Sequence, residues 1–233
     1  MMKRKKSRVG PIRWMFLVLA GLAGLSIGCN PQSLSMLLMP FQDTNIQPEW
    51  PLFKKNKELT LVILANFAKG EDRADLRPAA TELADELVTA FRQRCEANSH
   101  KIKIVPNLEV RAKQLNLGSD ALRRPVELGE QFKADYVLDL TINSISLYAK
   151  GYHPLMFRGQ TDININLYKV KGKDGETRVF TKEFRRAFPN NSLPMDASSI
   201  SAAGFRQLFV RKTAHDIAKI FLAYPPEERH MME

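Results

Sequence analysis

The chain predicts an α/β fold, a single mixed β-sheet of about five strands with helices packed on it. Three observations carry that prediction. Strand-like and helix-like segments alternate in the order β-α-β-α-α-β-β-β-α. Residues 59–67 are apolar on both faces, as a central strand covered by other layers must be. Residues 202–224 form a long amphipathic helix whose stripe is Phe205, Leu208, Phe209, Ile217, Ile220, Phe221 and Tyr224. Such a stripe needs a sheet to bury against.

The elements follow in order. After the strand at 59–67, the polar stretch 69–77 reads as a loop, and Pro78 suits the first turn of a helix. Ala80, Leu83, Leu87, Ala90 and Phe91 make that helix's buried stripe, and Cys95 falls in step with it. Glu82, Asp85 and Glu86 are expected early in the helix, where negative charge is favoured. Residues 101–105 alternate as a strand, with Ile102 and Ile104 on one side and Lys101 and Lys103 on the other. Two short helices are expected at 108–117, ended by Gly118, and at 125–133, where Leu128 and Phe132 pair at i,i+4.

Residues 134–148 make a long strand, with Tyr136, Leu138, Leu140 and Ile142 on one face. The apolar phase then switches to Ile145 and Leu147, which predicts a bulge near Asn143 or Ser144. Residues 160–170 place Ile163, Ile165 and Leu167 opposite Asp162, Asn164 and Asn166. A turn at 172–175 leads to a strand at 178–186 with Phe180 and Phe184 inward. The polar stretch 189–201 reads as a loop, Pro225 and Pro226 stop the last helix, and 227–233 reads as a frayed tail.

The N-terminus reads as an address. Lys3, Arg4, Lys5, Lys6, Arg8 and Arg13 precede an uncharged run at 14–28 that ends in small residues. A basic region, a short apolar core and a small-residue exit describe a secretory signal peptide. The exit Leu25-Ser26-Ile27-Gly28-Cys29 resembles the bacterial lipobox, with Gly28 and Cys29 at its two critical positions. Ser26 stands where the lipobox usually has leucine, with Leu25 one place further back. The resemblance implies cleavage between Gly28 and Cys29, with diacylglycerol and palmitate-type acyl chains on Cys29. Several acyl chains at about 0.8 kcal/mol per buried CH₂ hold a protein firmly at a membrane. The absence of aspartate at Asn30 leans towards the periplasmic face of the outer membrane rather than the inner membrane. An uncleaved signal anchor is the alternative.

The expected organisation is a signal peptide at 1–28, a lipidated cysteine with a proline-containing tether at 29–57, an α/β envelope domain at 58–226 and a tail at 227–233. Within the tether, residues 34–39, Trp50 and Phe53 could lie on the bilayer or dock on the domain. The composition, 44% hydrophobic and 26% charged, is that of a globular chain. Six of the ten net positive charges lie before Cys29, which leaves a mature charge of +4. That mild charge argues against nucleic-acid binding.

The strand at 59–67, the helix to Cys95, the Lys101–Val105 strand and the run Glu127-Leu128-Gly129-Glu130-Gln131-Phe132-Lys133-Ala134-Asp135-Tyr136-Val137-Leu138 occur in a particular order. That order resembles the α/β domain of the curli secretion-channel lipoprotein and the outer-membrane activator lipoproteins of penicillin-binding proteins. It also resembles the N-terminal domain of the Tol propeller protein. The resemblance covers residues 59 to about 148. It implies an envelope lipoprotein acting by protein binding or assembly, with no catalytic residue to carry over. The departure is the stretch 149–159, where the alternation needed for a membrane-crossing hairpin fails.

Catalytic chemistry finds little purchase. His100, His153, His215 and His230 have no partner at metal-ligand spacing, so neither metal nor cofactor is expected. Asp135 and Asp139 lie four apart on a strand and would share a face, which suits acid–base work or simple structural pairing. His215-Asp216 reads as a surface or boundary pair. Ser198, Ser199 and Ser201 precede a helix, where capping explains them. The stretch from Tyr148 to Phe157 is the candidate partner-binding loop: Tyr148, Tyr152, His153, Leu155, Met156 and Phe157, with Arg158 beside it, have the composition of an interface hot spot. The same side chains could instead fold back onto the sheet.

Three functions follow as expectations. The first is a non-enzymatic protein-binding or assembly lipoprotein of the envelope, held by its lipid and meeting an envelope protein. The second is a subunit of an oligomeric secretion channel, and the third an envelope hydrolase. Lipidation is tested by growing cells on labelled palmitate. The native chain should take up label and shorten by the length of its signal, and Cys29→Ser should do neither; an uncleaved anchor carries no label in either form.

Overall fold

The computed structural model describes residues 45–53, 58–69, 76–117, 124–151, 154–171, 178–190 and 193–230. Cys29, Gly28, Gly118, the 172–175 turn, Tyr152 and His153 lie outside them. One compact unit runs from Asn45 to the C-terminus. Its strands are β1 (Leu59–Phe67), β2 (Ile102–Ile104), β3 (Tyr136–Tyr148), β4 (Met156–Lys169), β5 (Arg178–Phe188) and the short β6 (Met195–Asp196). Its helices are α1 (Arg77–Ala97), α2 (Asn107–Leu117), α3 (Pro125–Gln131), α4 (Ala202–Phe221) and the single turn α5 (Glu227–His230). The sheet order is β2-β1-β3-β4-β5, with β6 also paired to β4. The expected α/β fold is present, with β6 and α5 added to the expected order.

β1 pairs in parallel with β2 and β3, while β3, β4 and β5 are antiparallel neighbours. Parallel pairing requires crossovers, and α1, α2 and α3 supply them. Asp135 locks the junction where the two modes meet. Its backbone N–H donates to the Thr60 carbonyl at 2.9 Å, and its carboxylate accepts the Thr60 N–H at 2.9 Å.

One sheet face, carrying Leu61, Ile63, Leu138, Leu140, Ile163 and Ile165, is buried beneath α1 and α4. The expected α1 stripe of Ala80, Leu83, Leu87, Ala90 and Phe91 is buried throughout, as is Cys95. Each large apolar side chain so buried contributes about 1.5–3 kcal/mol. The helices are also clamped to each other. Arg206 on α4 donates Nε and Nη2 to Glu82 on α1 at 2.9 and 2.8 Å, and Arg211 lies 3.5 Å from Glu86. The acids expected to serve the α1 N-terminus therefore do something else, because the helix begins at Arg77 and its first turn holds no acid. Asp85 accepts a 2.6 Å hydrogen bond from Asn107 at the start of α2.

Among the described residues, the opposite face is covered only at one end. There Val62, Leu64 and Val137 meet Val110 of α2 and Leu128 of α3. Asp162, Asn164 and Asn166 sit on the same face beyond that cover, and the expected bulge falls between Ile142 and Ser144.

Several expected boundaries move. β4 begins at Met156, four residues before the expected start: its buried face continues from Ile163 through Thr161 and Gly159 to Phe157, and the polar Thr161 and side-chain-less Gly159 hide that alternation in the sequence. The polar stretch 189–201 contains β6. α4 ends at Phe221 rather than Tyr224: Leu222 is extended at φ −133°, ψ 138°. Tyr224 is also the residue before Pro225, where helix is disfavoured. Tyr224 instead exchanges backbone hydrogen bonds with Ile46. Residues 45–53, expected within the tether, dock: Trp50 and Leu52 donate to the carbonyls of Ile220 and Phe221 at 2.9 and 3.2 Å. The expected frayed tail has a helical turn, in which Glu228 pairs with Arg94 and Lys219.

Gly159 of β4 carries the flat approach of α4. A Cβ there would lie 2.6 Å from the ring of Phe209, which is wholly buried and cannot step aside. Gly159→Ala should lower the unfolding free energy by about 1–3 kcal/mol, read from urea denaturation curves.

Candidate binding surface

The stretch expected as one aromatic loop is split between strand, core and turn. Tyr148 ends β3, Met156 and Phe157 begin β4, and Tyr148 pairs with Phe157. Phe157 is 2% exposed and stacks on Phe205 of α4 with ring centroids 4.8 Å apart. Tyr148 packs on Phe157 at 5.2 Å. Phe157 is therefore a core residue and leaves the accessible set: an aromatic placed opposite α4 is drawn under the helix by its apolar area. Arg158 is half-buried and donates to the Asn190 carbonyl at 3.0 Å. Met156 is half-buried.

Leu155 stays on the outside, 69% exposed. Its carbonyl accepts the Ala197 N–H at 3.0 Å, and the neighbouring Met156 carbonyl accepts the Ala149 N–H at 3.0 Å. The turn is thus braced from β3 and from the β6 segment. Leu193, just before β6, is 88% exposed. Sequence reasoning missed Leu193 because it is one apolar residue in a polar stretch. The pairing of β6 with the start of β4 brings its segment to this end of the sheet. Ser201 caps α4 as expected, accepting the Gly204 N–H at 3.1 Å.

The acid–base candidates have separate duties. Asp135 is engaged by the Thr60 amide. Asp139 sits in mid-strand between Leu64 of β1 and Asn166 of β4, and burial pushes its carboxyl up to about 6. Burial, followed by the nearby Arg94 charge, holds the His215 imidazole below its usual range, so it is neutral at neutral pH. Its sequence neighbour Asp216 is tied instead to Arg186 at 3.1 Å and Lys219 at 3.4 Å. Burial pushes the Cys95 thiol up to about 12, which leaves it protonated and unreactive at neutral pH. Among the described residues, no three His, Cys, Asp or Glu side chains are grouped to hold a metal ion.

Beyond α2 and α3 the second sheet face carries a polar network. Asn143 donates to Asp162 at 3.0 Å, Asn164 to Asn143 at 3.3 Å, Thr181 to Asn166 at 2.9 Å and Arg185 to Asp162 at 3.1 Å. Residues on adjacent strands bond to one another across the face, which fixes their side chains.

No family model matches the chain, and no curated protein matches it. Among solved structures it is similar to the PelC dodecamer from Paraburkholderia phytofirmans, at 14% identity and TM-score 0.40, over 75% of this chain and 96% of that one. It is also similar to protein XCC0632 from Xanthomonas campestris, at 13% identity and TM-score 0.41, over 75% of this chain and 88% of that one. Lipoprotein GNA1162 from Neisseria meningitidis gives 14% identity and TM-score 0.39, over 69% of this chain and 96% of that one.

Asp139 makes stability depend on pH. Its folded value of about 6 is raised above its ordinary 3.8, so the neutral acid is the form the fold prefers. Its contribution to stability is full below pH ~4 and is lost as pH rises through ~6. Asp139→Asn should raise the melting temperature at pH 7.5 and flatten the fall between those limits, measured by calorimetry across pH.

Proposed function

We propose that the chain is a lipid-anchored lipoprotein of the bacterial cell envelope, favouring the periplasmic face of the outer membrane. It acts there without catalysis, as a protein-binding module. The observation that carries this reading is the braced end of the β3–β4 hairpin. Leu155 is 69% exposed there, and Leu193, just before β6, is 88% exposed. Exposed leucines beside hydrogen-bonded strands cost little ordering entropy when a partner covers them. The partner is an envelope protein with a matching apolar patch. Asp135, Asp139, His215 and Cys95 each have a structural account, which weighs for binding over hydrolysis.

The secretion-channel reading meets a physical difficulty in the hairpin. A strand that crosses a bilayer turns one apolar face to lipid. The apolar faces of β3 and β4 are instead spent on α1 and α4, with Leu147 and Phe157 packed among Phe205 and Phe209. Their other face, where α2 and α3 leave it, is polar.

The test uses the full-length lipidated protein, extracted from its own membrane in mild detergent. The native chain should bring down a specific envelope protein, and Leu155→Ser with Leu193→Ser should lose it while keeping the same melting temperature. Retained capture removes this surface from the account. A large assembly of the chain alone, unaffected by the two changes, favours the channel reading.

A further inference from the structure

α2 packs on the sheet by its inner side, where Val110 is 2% exposed in a cluster with Val62 and Leu64 of β1. On its outer side Leu108 and Leu115 are 81% and 82% exposed. The two leucines stand two helical turns apart, and Ala112, also exposed, lies between them. At 3.6 residues per turn the three side chains form one stripe along the helix.

The stripe has a basic border. β2 is the edge strand beside β1. Ile102 and Ile104 join the core beneath α1, so the alternation of the strand turns Lys101 and Lys103 to the α2 side. Both lysines are exposed, as is Lys113 on α2, and Arg111 is half-buried there. Glu109 is the one acid in the stretch 101–117. Among the described residues, no ion pair engages any of these five side chains. The charges of β5 differ: Lys182, Arg185 and Arg186 each pair with a carboxylate.

An apolar stripe on a helix, bordered by cations, matches the interface of an anionic bilayer. Leucines enter among the headgroups while lysines meet the phosphates, and the two attractions add. The point of chain entry favours lipid over a protein as the occupant. Asn45, where the chain enters the domain, donates its side-chain amide to Asn98 at 3.3 Å, three residues before Lys101. The entry and the start of β2 are therefore at the same end of the domain. From Cys29 to Asn45 the chain spans no more than about 55 Å even when fully extended. A lipid on Cys29 holds the domain within that distance of a bilayer.

We infer that α2 lies on the bilayer surface, with Leu108, Ala112 and Leu115 among the headgroups and Lys101, Lys103 and Lys113 against anionic phosphates. The inference rests on the lipid-anchor reading and adds a second membrane contact to it. One contact leaves the domain free to turn about its tether. The second fixes which side faces the lipid, and with it where the β3–β4 hairpin points.

The test places a fluorophore at Ala112→Cys in the full-length lipidated protein, in vesicles of phosphatidylethanolamine with about one-quarter phosphatidylglycerol. Cys95 is buried and takes no label. Flotation with the vesicles reports the anchor, and quenching reports α2. The label should be quenched by lipid carrying a quencher at headgroup depth, and shielded at least about threefold from a neutral quencher in the water. Leu108→Ser with Leu115→Ser, both at exposed positions, should return it to the water with flotation unchanged. Lys101→Gln with Lys103→Gln should cut the lipid quenching by about two- to fivefold, as should about 0.5 M salt. A protein that floats with its Ala112→Cys label open to the water overturns the α2 contact and leaves the anchor standing; one that does not float overturns both. A label shielded from water but untouched by the lipid quencher puts a protein in the place of the bilayer and ends the inference, as does quenching that neither pair of substitutions changes.

Discussion

The burial of one face of β3 and β4 beneath α1 and α4 is the constraint on which the rest depends. The two strands are the longest in the sheet, 13 and 14 residues, and α4 runs over them with its Phe209 ring against Gly159. That packing consumes the apolar face along most of the hairpin. What remains for function is what the packing leaves outside: a polar face, an exposed turn and the outer side of α2.

The same constraint explains how the edges are managed. β2 has only three residues and is flanked by Lys101, and Lys103 lies within it. β5 carries Arg178, Lys182, Arg185 and Arg186. Short length and charge both discourage further strand pairing. On β5 the charges are also drawn into structure. Arg186 enters a chain of buried charges through Asp216 and Lys219, which joins the sheet edge to α4 and, through Glu228 and Arg94, to α1. Polar groups that discourage aggregation on one side thus tie three elements together on the other.

Periodic signals were legible where one element decided its own burial. The α1 stripe from Ala80 to Phe91 and the bulge after Ile142 could be read because each depends on local spacing. The features that could not be read depend on distant partners. Glu82 reads as a helix-terminus acid until Arg206, 124 residues away, is placed beside it. Phe157 reads as either a surface aromatic or one folded back onto the sheet until β4 is carried back through Thr161 and Gly159 on its buried face and α4 brings Phe205 over it. Trp50 reads as able to meet either the bilayer or the domain, and the bond of its amide to the end of α4 decides for the domain. Leu193 became visible only when β6 was paired to the start of β4.

The central claim is a domain held at the membrane by its lipid, with the β3–β4 hairpin in water. It is tested most directly by Leu155→Cys, labelled with a fluorophore in the full-length lipidated protein in bilayers. Cys95 is buried and stays unlabelled in the native fold. Quenchers are then placed at different depths along the lipid acyl chains, with a soluble quencher in the water. The account predicts quenching from the water and none from mid-bilayer. Quenching from mid-bilayer, with protection from the water, would contradict it.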